Sequence, residues 1–415
     1  MAVSSDQDRY GILIAGGGGV GLALASALAD ALGAGFRIAV IDRAGFDAAR
    51  RTRDIRASAV AAGSQQLLAA LGIWPELASH AQPVTTVDIT DSALEDAFRP
   101  VLVTYDNTVE SGSPATYIIE NERLHEAILR AATRRPTIEL RGGSPVAGYT
   151  ADAYGVRVEL ENGSRLSAPL LIAADGRASR LREAANIGVV GWKYPQIGIV
   201  TTVEHNKPHR SRAMQHFLPS GPFAILPLVG NRSCVTWTEN EQRGREIMAL
   251  DDAGFATEVE QRFGFRLGDI RAIGPRAMWP LEMHLARALV ADRLALVGDA
   301  AHLVHPIAGQ GLNLGLRDVA ALTEVVTDAV RLGLDIGSSI VLSRYERWRR
   351  TDAALSAAAF DGLNRLFSTD WALLRTVRGA GLGIVNRMPQ LKQFFVAEAA
   401  GLTGEVPKLL RGERV

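Results

Sequence analysis

One cysteine, Cys234, is all the thiol in this 415-residue chain. That excludes an internal disulfide, a CxxC pair and a thiolate metal centre, and it fits a reducing compartment. Lysine is nearly as scarce. Lys193, Lys207, Lys392 and Lys408 are the four, and none closes a GxxxxGK[ST] pattern, so the phosphate loop of kinases and ATPases is missing. Net charge is zero, with 45 basic and 45 acidic residues, which leaves nothing to hold a polyanion and excludes nucleic-acid binding. There is no GxSxG, so covalent nucleophilic catalysis has no support. One charge-free run, Gly11 to Ala29, has nearly the length of a membrane span. It carries four consecutive glycines, and Asp6, Asp8 and Arg9 precede it instead of a basic cluster. It reads as neither a span nor a signal peptide, and a cytoplasmic chain is expected.

What is present is ordinary globular material: 47% hydrophobic and 22% charged residues, with length for two to three domains. Tyr10–Ala15 is a continuous apolar run, as a strand covered on both faces requires. Leu22–Leu32 has helical spacing, and Phe36–Ile41 is a second β-rich run ending at Asp42. Together they predict a βαβ unit. Ser58–Leu71 reads as a helix closed by Gly72, and Asn121 as the N-cap of a helix through Ala132. Residues 170–174 and 294–297 are two further apolar strands, each ending in an acid–glycine pair.

Between 187 and 285 short β-rich runs alternate with Gly and Pro turns, which predicts an inserted antiparallel sheet. The expected architecture is α/β. Residues 1–186 and 286–350 form a discontinuous Rossmann-like domain, 187–285 a β-rich insert, and 351–415 C-terminal helices.

Gly16-Gly17-Gly18-Gly19-Val20-Gly21 satisfies GxGxxG directly after a strand and before a helix. Gly16, Gly18 and Gly21 give the tight turn, the close backbone approach and the helix–strand packing that a pyrophosphate needs, while the helix N-terminus offers free N–H groups. Asp42 lies 21 residues beyond Gly21 at a strand end, placed to accept from both ribose hydroxyls of an adenosine, with Arg43 beside it. A carboxylate there repels a 2′-phosphate, so the nucleotide is FAD or NAD. A near-copy at 379–383 lacks its last glycine and any following acid. It is a decoy.

Two more pairs decide which nucleotide. Asp175-Gly176 begins DGRASRLR, and Gly298-Asp299 begins GDAAH, which continues to Pro306 and on through Gly309-Gln310-Gly311-Leu312-Asn313 to Asp318. Singly, each is a common turn or helix entry. The combination of GxGxxG, DGxxSxxR and GDAAHxxxPxxGQGxN resembles the single-component FAD-dependent aromatic hydroxylases of the para-hydroxybenzoate hydroxylase superfamily. The text HPIAGQGLNLGLRDV at 305–319, with residues 54–74, 117–124 and 221–228, is similar to the ubiquinone-biosynthesis hydroxylase branch. The likeness covers nearly the whole chain.

The resemblance implies a non-covalent FAD held at its pyrophosphate by Gly16, Gly18 and Gly21 and at its adenosine ribose by Asp42. That aspartate replaces the glutamate more usual in the family, keeping the carboxylate and shortening its reach. Arg56 and Asn121 would lie along the pyrophosphate and ribityl chain, and Asp299 would take the ribityl hydroxyls. The stretch from Asp175 to Arg182 would shape the flavin cleft and help admit the nicotinamide donor. The helix start at Gly309, Gln310, Gly311, Leu312 and Asn313 would turn its N–H groups to the flavin pyrimidine edge, where the helix dipole favours negative charge. Pro306 would face the reacting ring. No residue is marked as the catalytic base.

The chemistry implied is hydride transfer from NAD(P)H to the flavin. Reaction with O2 then gives a C4a-hydroperoxide that attacks an electron-rich ring under a dry roof. A polyprenylated phenol is the implied substrate, and an FAD-dependent hydroxylase of a soluble aromatic is the alternative. Other ubiquinone-biosynthesis proteins are implied partners.

His302 and His305 sit three apart without a third convergent ligand, so no metal site is expected. His205 and His216 read as satisfied turn or surface histidines, with a substrate hydrogen bond as the other use. Apolar positions from Leu363 to Phe395 read as core, or as a face docking peripherally on the inner membrane.

Overall fold

The structure, a computed structural model, describes residues 8–46, 54–92, 94, 100–264, 266–305, 309–367 and 389–415. The apolar runs read from the sequence become the middle of a six-stranded sheet. Its order is Val290–Ala291, Leu294–Leu296, Leu170–Ala173, Ile12–Ala15, Ile38–Asp42, Ile138–Gly142. All neighbours are parallel except the first pair. Ile12, Leu13 and Ile14 are fully buried because helices cover both faces, which is why their sequence shows no polar alternation. The sheet collects strands from residues 12 to 296, so the nucleotide domain is discontinuous, and everything between 187 and 285 leaves and returns within it.

The helix Gly19–Leu32 is Ala/Leu-rich and buried from Gly21 to Ala29; Gly33, at φ +78°, ends it. It packs on the helix Gly311–Arg331. Gly315 makes that crossing close, since a Cβ there would stand 2.6 Å from Val20. Both helices therefore bring their N-termini to the same end of the sheet.

The second large sheet has nine strands, and Val189–His205, Arg212–Leu218, Gly221–Leu228 and Arg232–Asn240 fall in the stretch expected to be β-rich. Two of its strands, Thr86–Asp91 and Val101–Asp106, come from earlier in the chain, and Arg212–Leu218 pairs with Thr86–Asp91 in parallel. One face carries Met214, Phe223, Ile225 and Trp237, and packs on Ile247, Phe255 and Val259 of the helices Glu241–Ala249 and Asp252–Phe263. The other face roofs the cavity described below.

Two local expectations change. Residues 57–61 form a strand paired with Thr116–Glu120, and the helix starts only at Ala62. Alternation in Ser58-Ala59-Val60 was read with the helical spacing that follows it. Asn121 is the first helical residue and not the N-cap; Glu120 flanks the helix, and the Asn121 side chain is used elsewhere. The decoy at 379–383 and the apolar positions between Leu363 and Phe395 fall outside the residues or side chains described. No helix among the described residues is long and apolar enough to cross a membrane.

Candidate active site

A cavity of about 1450 Å³ opens at the C-terminal ends of the parallel strands and reaches the roof face of the nine-stranded sheet. That is where open α/β sheets bind ligands. Gly16, Gly18 and Gly21 line it after the first strand, Asp42 and Arg43 after the second, Asp175 after the third and Asp299 after the fourth. Gly309, Gln310, Gly311 and Leu312 line the opposite side.

The glycine loop is built as a cradle. Gly16 takes φ +114°, and a Cβ there would lie 2.1 Å from the Ala174 carbonyl oxygen. A Cβ on Gly21 would lie 2.0 Å from the Gly16 carbonyl. Gly18 is different: among the described residues nothing comes within 4 Å of its Cβ position, which faces open space. Asp42 Oδ2 accepts from Gly17 N at 2.7 Å, and Oδ1 accepts from Ala44 N at 2.8 Å, fixing the carboxylate at the strand end. Among the described residues no side chain caps the N-terminus of the 19–32 helix or the 311–331 helix, and both helix starts line the cavity with first-turn amides left over. Asp175 Oδ1 is buried with no hydrogen-bond partner among the described residues. Two uncapped helix ends, an open glycine position and an orphaned carboxylate oxygen fit a long ligand with two anionic regions.

Arg56 and Asn121 meet through a residue the sequence reading passed over. Arg56 donates to Asp54 from Nε at 2.8 Å and from a terminal nitrogen at 2.7 Å. Asn121 Nδ2 donates to Asp54 Oδ2 at 2.9 Å, while Ser58 Oγ donates to Asn121 Oδ1 at 2.6 Å. Burial alone would raise the Asp54 pKa; the Arg56 and Asn121 contacts outweigh it and hold the carboxyl below its usual range. Nothing in the sequence marks Asp54, since an acid two residues before a base is an ordinary surface pattern.

Asp299 opens into the cavity while protein surrounds its base. That burial raises its pKa, opposed by the charges of His302 and Arg56. Burial likewise raises Asp175. The two acid–glycine motifs are braced together by Arg182, which donates to Ala300 O at 3.0 Å and Arg177 O at 3.1 Å. Asn313 does not reach the cavity. Its side chain accepts from Ala61 N at 3.0 Å and donates to Ala59 O at 2.8 Å, pinning the helix start to the 57–61 strand. Pro306 lies outside the described residues.

Behind Asp299 is a buried charge network. Asp318 Oδ2 accepts from Gly298 N at 2.8 Å and bonds His302 Nε2 at 2.7 Å; Oδ1 accepts from Arg349 at 2.7 Å. Arg349 also donates to Asp352, which accepts from Arg317 at 2.8 Å. His205 and His216 are buried, and neither lines the cavity: His205 bonds Lys207 O, and His216 bonds Thr90 on the far face of the sheet.

His305 is buried against the Tyr194 ring, and burial lowers its pKa from 6.5 to about 4. Its unfolded form therefore takes up a proton between pH 6.5 and 4 that the folded form refuses, so stability falls as pH falls through that window. We expect about 2 kcal/mol of loss from this group between pH 7.5 and 5, by the one-unit equivalence. Urea unfolding of wild type and His305→Gln at both pH values checks it: the variant should lose less, and equal losses would refute it.

A discontinuous α/β domain with a glycine cradle and a roofing β-sheet defines the class of flavin-dependent aromatic hydroxylases. Residues 9–354 match the family described as FAD binding domain. The chain is 43% identical to ubiquinone hydroxylase UbiL of Rhodospirillum rubrum, over 99% of this chain and 95% of that one. It is 34% identical to 3-demethoxyubiquinol 3-hydroxylase of Escherichia coli, over 94% and 98%. In fold it resembles p-nitrophenol 4-monooxygenase of Pseudomonas putida, with TM-score 0.78, 19% identity and coverage of 96% and 99%. The chain belongs to the FAD-binding domain family, in its ubiquinone-hydroxylase branch.

Proposed function

We propose that this protein is an FAD-dependent monooxygenase that hydroxylates the aromatic ring of a polyprenylated phenol in ubiquinone biosynthesis. The observation that carries the reading is one continuous cavity, which joins the nucleotide cradle to an apolar sheet face. FAD held in this cavity would supply the redox chemistry, with NAD(P)H as the reductant and O2 as the source of the oxygen atom placed on the ring.

The chain's own residues hold and shield that group. Gly16, Gly18 and Gly21 hold the pyrophosphate, Asp42 and Arg43 the adenosine end, and Arg56 and Asn121 the middle of the chain. Asp299 accepts from the ribityl hydroxyls. Asp175 shapes the mouth through which the nicotinamide donor enters. Gly309, Gln310 and the amides of Gly311, Leu312 and Asn313 set a positive helix end against the pyrimidine edge. Val87, Ile89, Phe217, Ala224 and Leu226 on the roof exclude water. Burial pushes the Tyr105 hydroxyl on the same wall up to about 12, so it keeps its proton at neutral pH.

A polyprenyl tail does not leave a bilayer readily, so peripheral contact with the inner membrane and hand-over from other enzymes of the pathway belong to the same reading. The test is mass spectrometry of quinone intermediates in cells lacking the gene. Accumulation of a prenylated phenol one oxygen short supports the reading and names the ring position. Normal ubiquinone without a redundant hydroxylase would move the substrate to soluble aromatics.

A further inference from the structure

Gln215 is the exception on the roof. It sits on the strand Arg212–Leu218 and lines the cavity, directly opposite Ile89 on one neighbouring strand and Ala224 on the other. Along its own strand the residues on the same face are Ala213 and Phe217. All four are apolar, so the sheet offers the carboxamide no cross-strand partner. Its Nε2 is buried and has no hydrogen-bond partner among the described residues. A buried amide N–H left unpaired is costly, and native sites keep such groups where a ligand or water completes them.

The other polar side chains on this wall lie elsewhere. Thr236 is one strand beyond Ala224 with Thr238 further along that strand, and Tyr105 faces Val87 at the far side of the sheet. Gln215 therefore stands as the hydrogen-bond donor at the centre of an apolar surface.

We propose that Gln215 is a specificity-determining residue: its amide N–H donates to the oxygen substituent of the aromatic ring and sets how that ring lies beneath the roof. This rests on the hydroxylase reading above. The roof alone would bind a prenylated ring by its apolar area and would not distinguish a phenol from the same ring lacking oxygen. One buried donor does, because the ring without oxygen leaves Gln215 unpaired.

The test is equilibrium binding to the oxidised, FAD-loaded protein, followed through the flavin absorbance change. The probes are 2-geranylphenol and geranylbenzene. Wild type should bind the phenol about tenfold more tightly or better. Gln215→Leu and Gln215→Met, each checked for full FAD content and an unchanged thermal transition, should lose that preference by weakening the phenol alone. Equal binding of the two probes by wild type overturns the proposal, and so does a phenol preference that survives in both variants. If wild type binds neither geranyl probe but does bind p-cresol, the prenyl reading fails. Gln215 is then judged on p-cresol against toluene by the same criterion. If no phenol binds, both fail.

Discussion

Gly16→Ala should purify without its yellow cofactor, holding less than about one-tenth of the FAD carried by wild type. Gly16 needs φ +114°, and the added methyl would lie 2.1 Å from a backbone carbonyl that cannot swing aside. Strain of about 1–3 kcal/mol, with displacement of the loop on top, corresponds to a ten- to hundredfold or greater loss of affinity. Gly18→Ala separates the cradle from the fold. Its Cβ meets no atom of the described residues within 4 Å, and its backbone is extended, so the cofactor-free chain should unfold within about 1 kcal/mol of wild type. The methyl nevertheless stands in the space assigned to the pyrophosphate, and FAD affinity should drop at least tenfold. FAD titration and urea unfolding of both variants check this. A Gly18→Ala protein that binds FAD as wild type does would remove the pyrophosphate from that position.

Arg349→Met should destabilise the fold by about 3–5 kcal/mol, the usual consequence of leaving a buried charge without its partner. Asp318 has no solvent exposure, and burial works against its charge; His302 and Arg349 more than offset that and keep its pKa below the ordinary 3.8. In wild type its contribution is present above that value and fades as pH falls below it. Without Arg349 the sign inverts, because a buried aspartate lacking a cation is better protonated. The variant's deficit should therefore shrink on acidification, and Asp318→Asn added to Arg349→Met should recover part of the loss. Urea unfolding from pH 7 to 5 reads both effects. A deficit under 1 kcal/mol would show that the network is not under electrostatic tension.

Much of this was legible in the chain. Continuous apolar runs can be buried on both faces only in a parallel sheet, so Ile12–Ala15 and Leu170–Ala173 announced themselves. The glycine loop and both acid–glycine pairs signalled where those strands end. What stayed hidden depends on contacts between distant segments. The parallel pairing of Thr86–Asp91 with Arg212–Leu218 joins residues 126 positions apart, and no local pattern announces it. Asp54 looked like any surface acid until Arg56 and Asn121 closed on it. Asp318 carried a readable signal: a carboxylate one turn after Leu314 on the buried face of a helix must have partners. Gln215 carried none, because an amide in a β-run looks the same whether it faces water or a ligand.

The route of the chain through the six-stranded sheet governs when this protein can acquire its cofactor in a cell. The glycine cradle leaves the ribosome early, but the strand before Asp299 and the helix Gly311–Arg331 follow about 280 residues later. At ordinary elongation speeds that interval lasts roughly fifteen seconds to a minute. Throughout it the helix Gly19–Leu32 lacks one of the helices that bury it, and the strand Leu170–Ala173, once made, lacks its outer neighbour. Flavin loading is thus a late event in biogenesis, because the cradle is complete only when the helix Gly311–Arg331 has been made and has packed on the helix Gly19–Leu32.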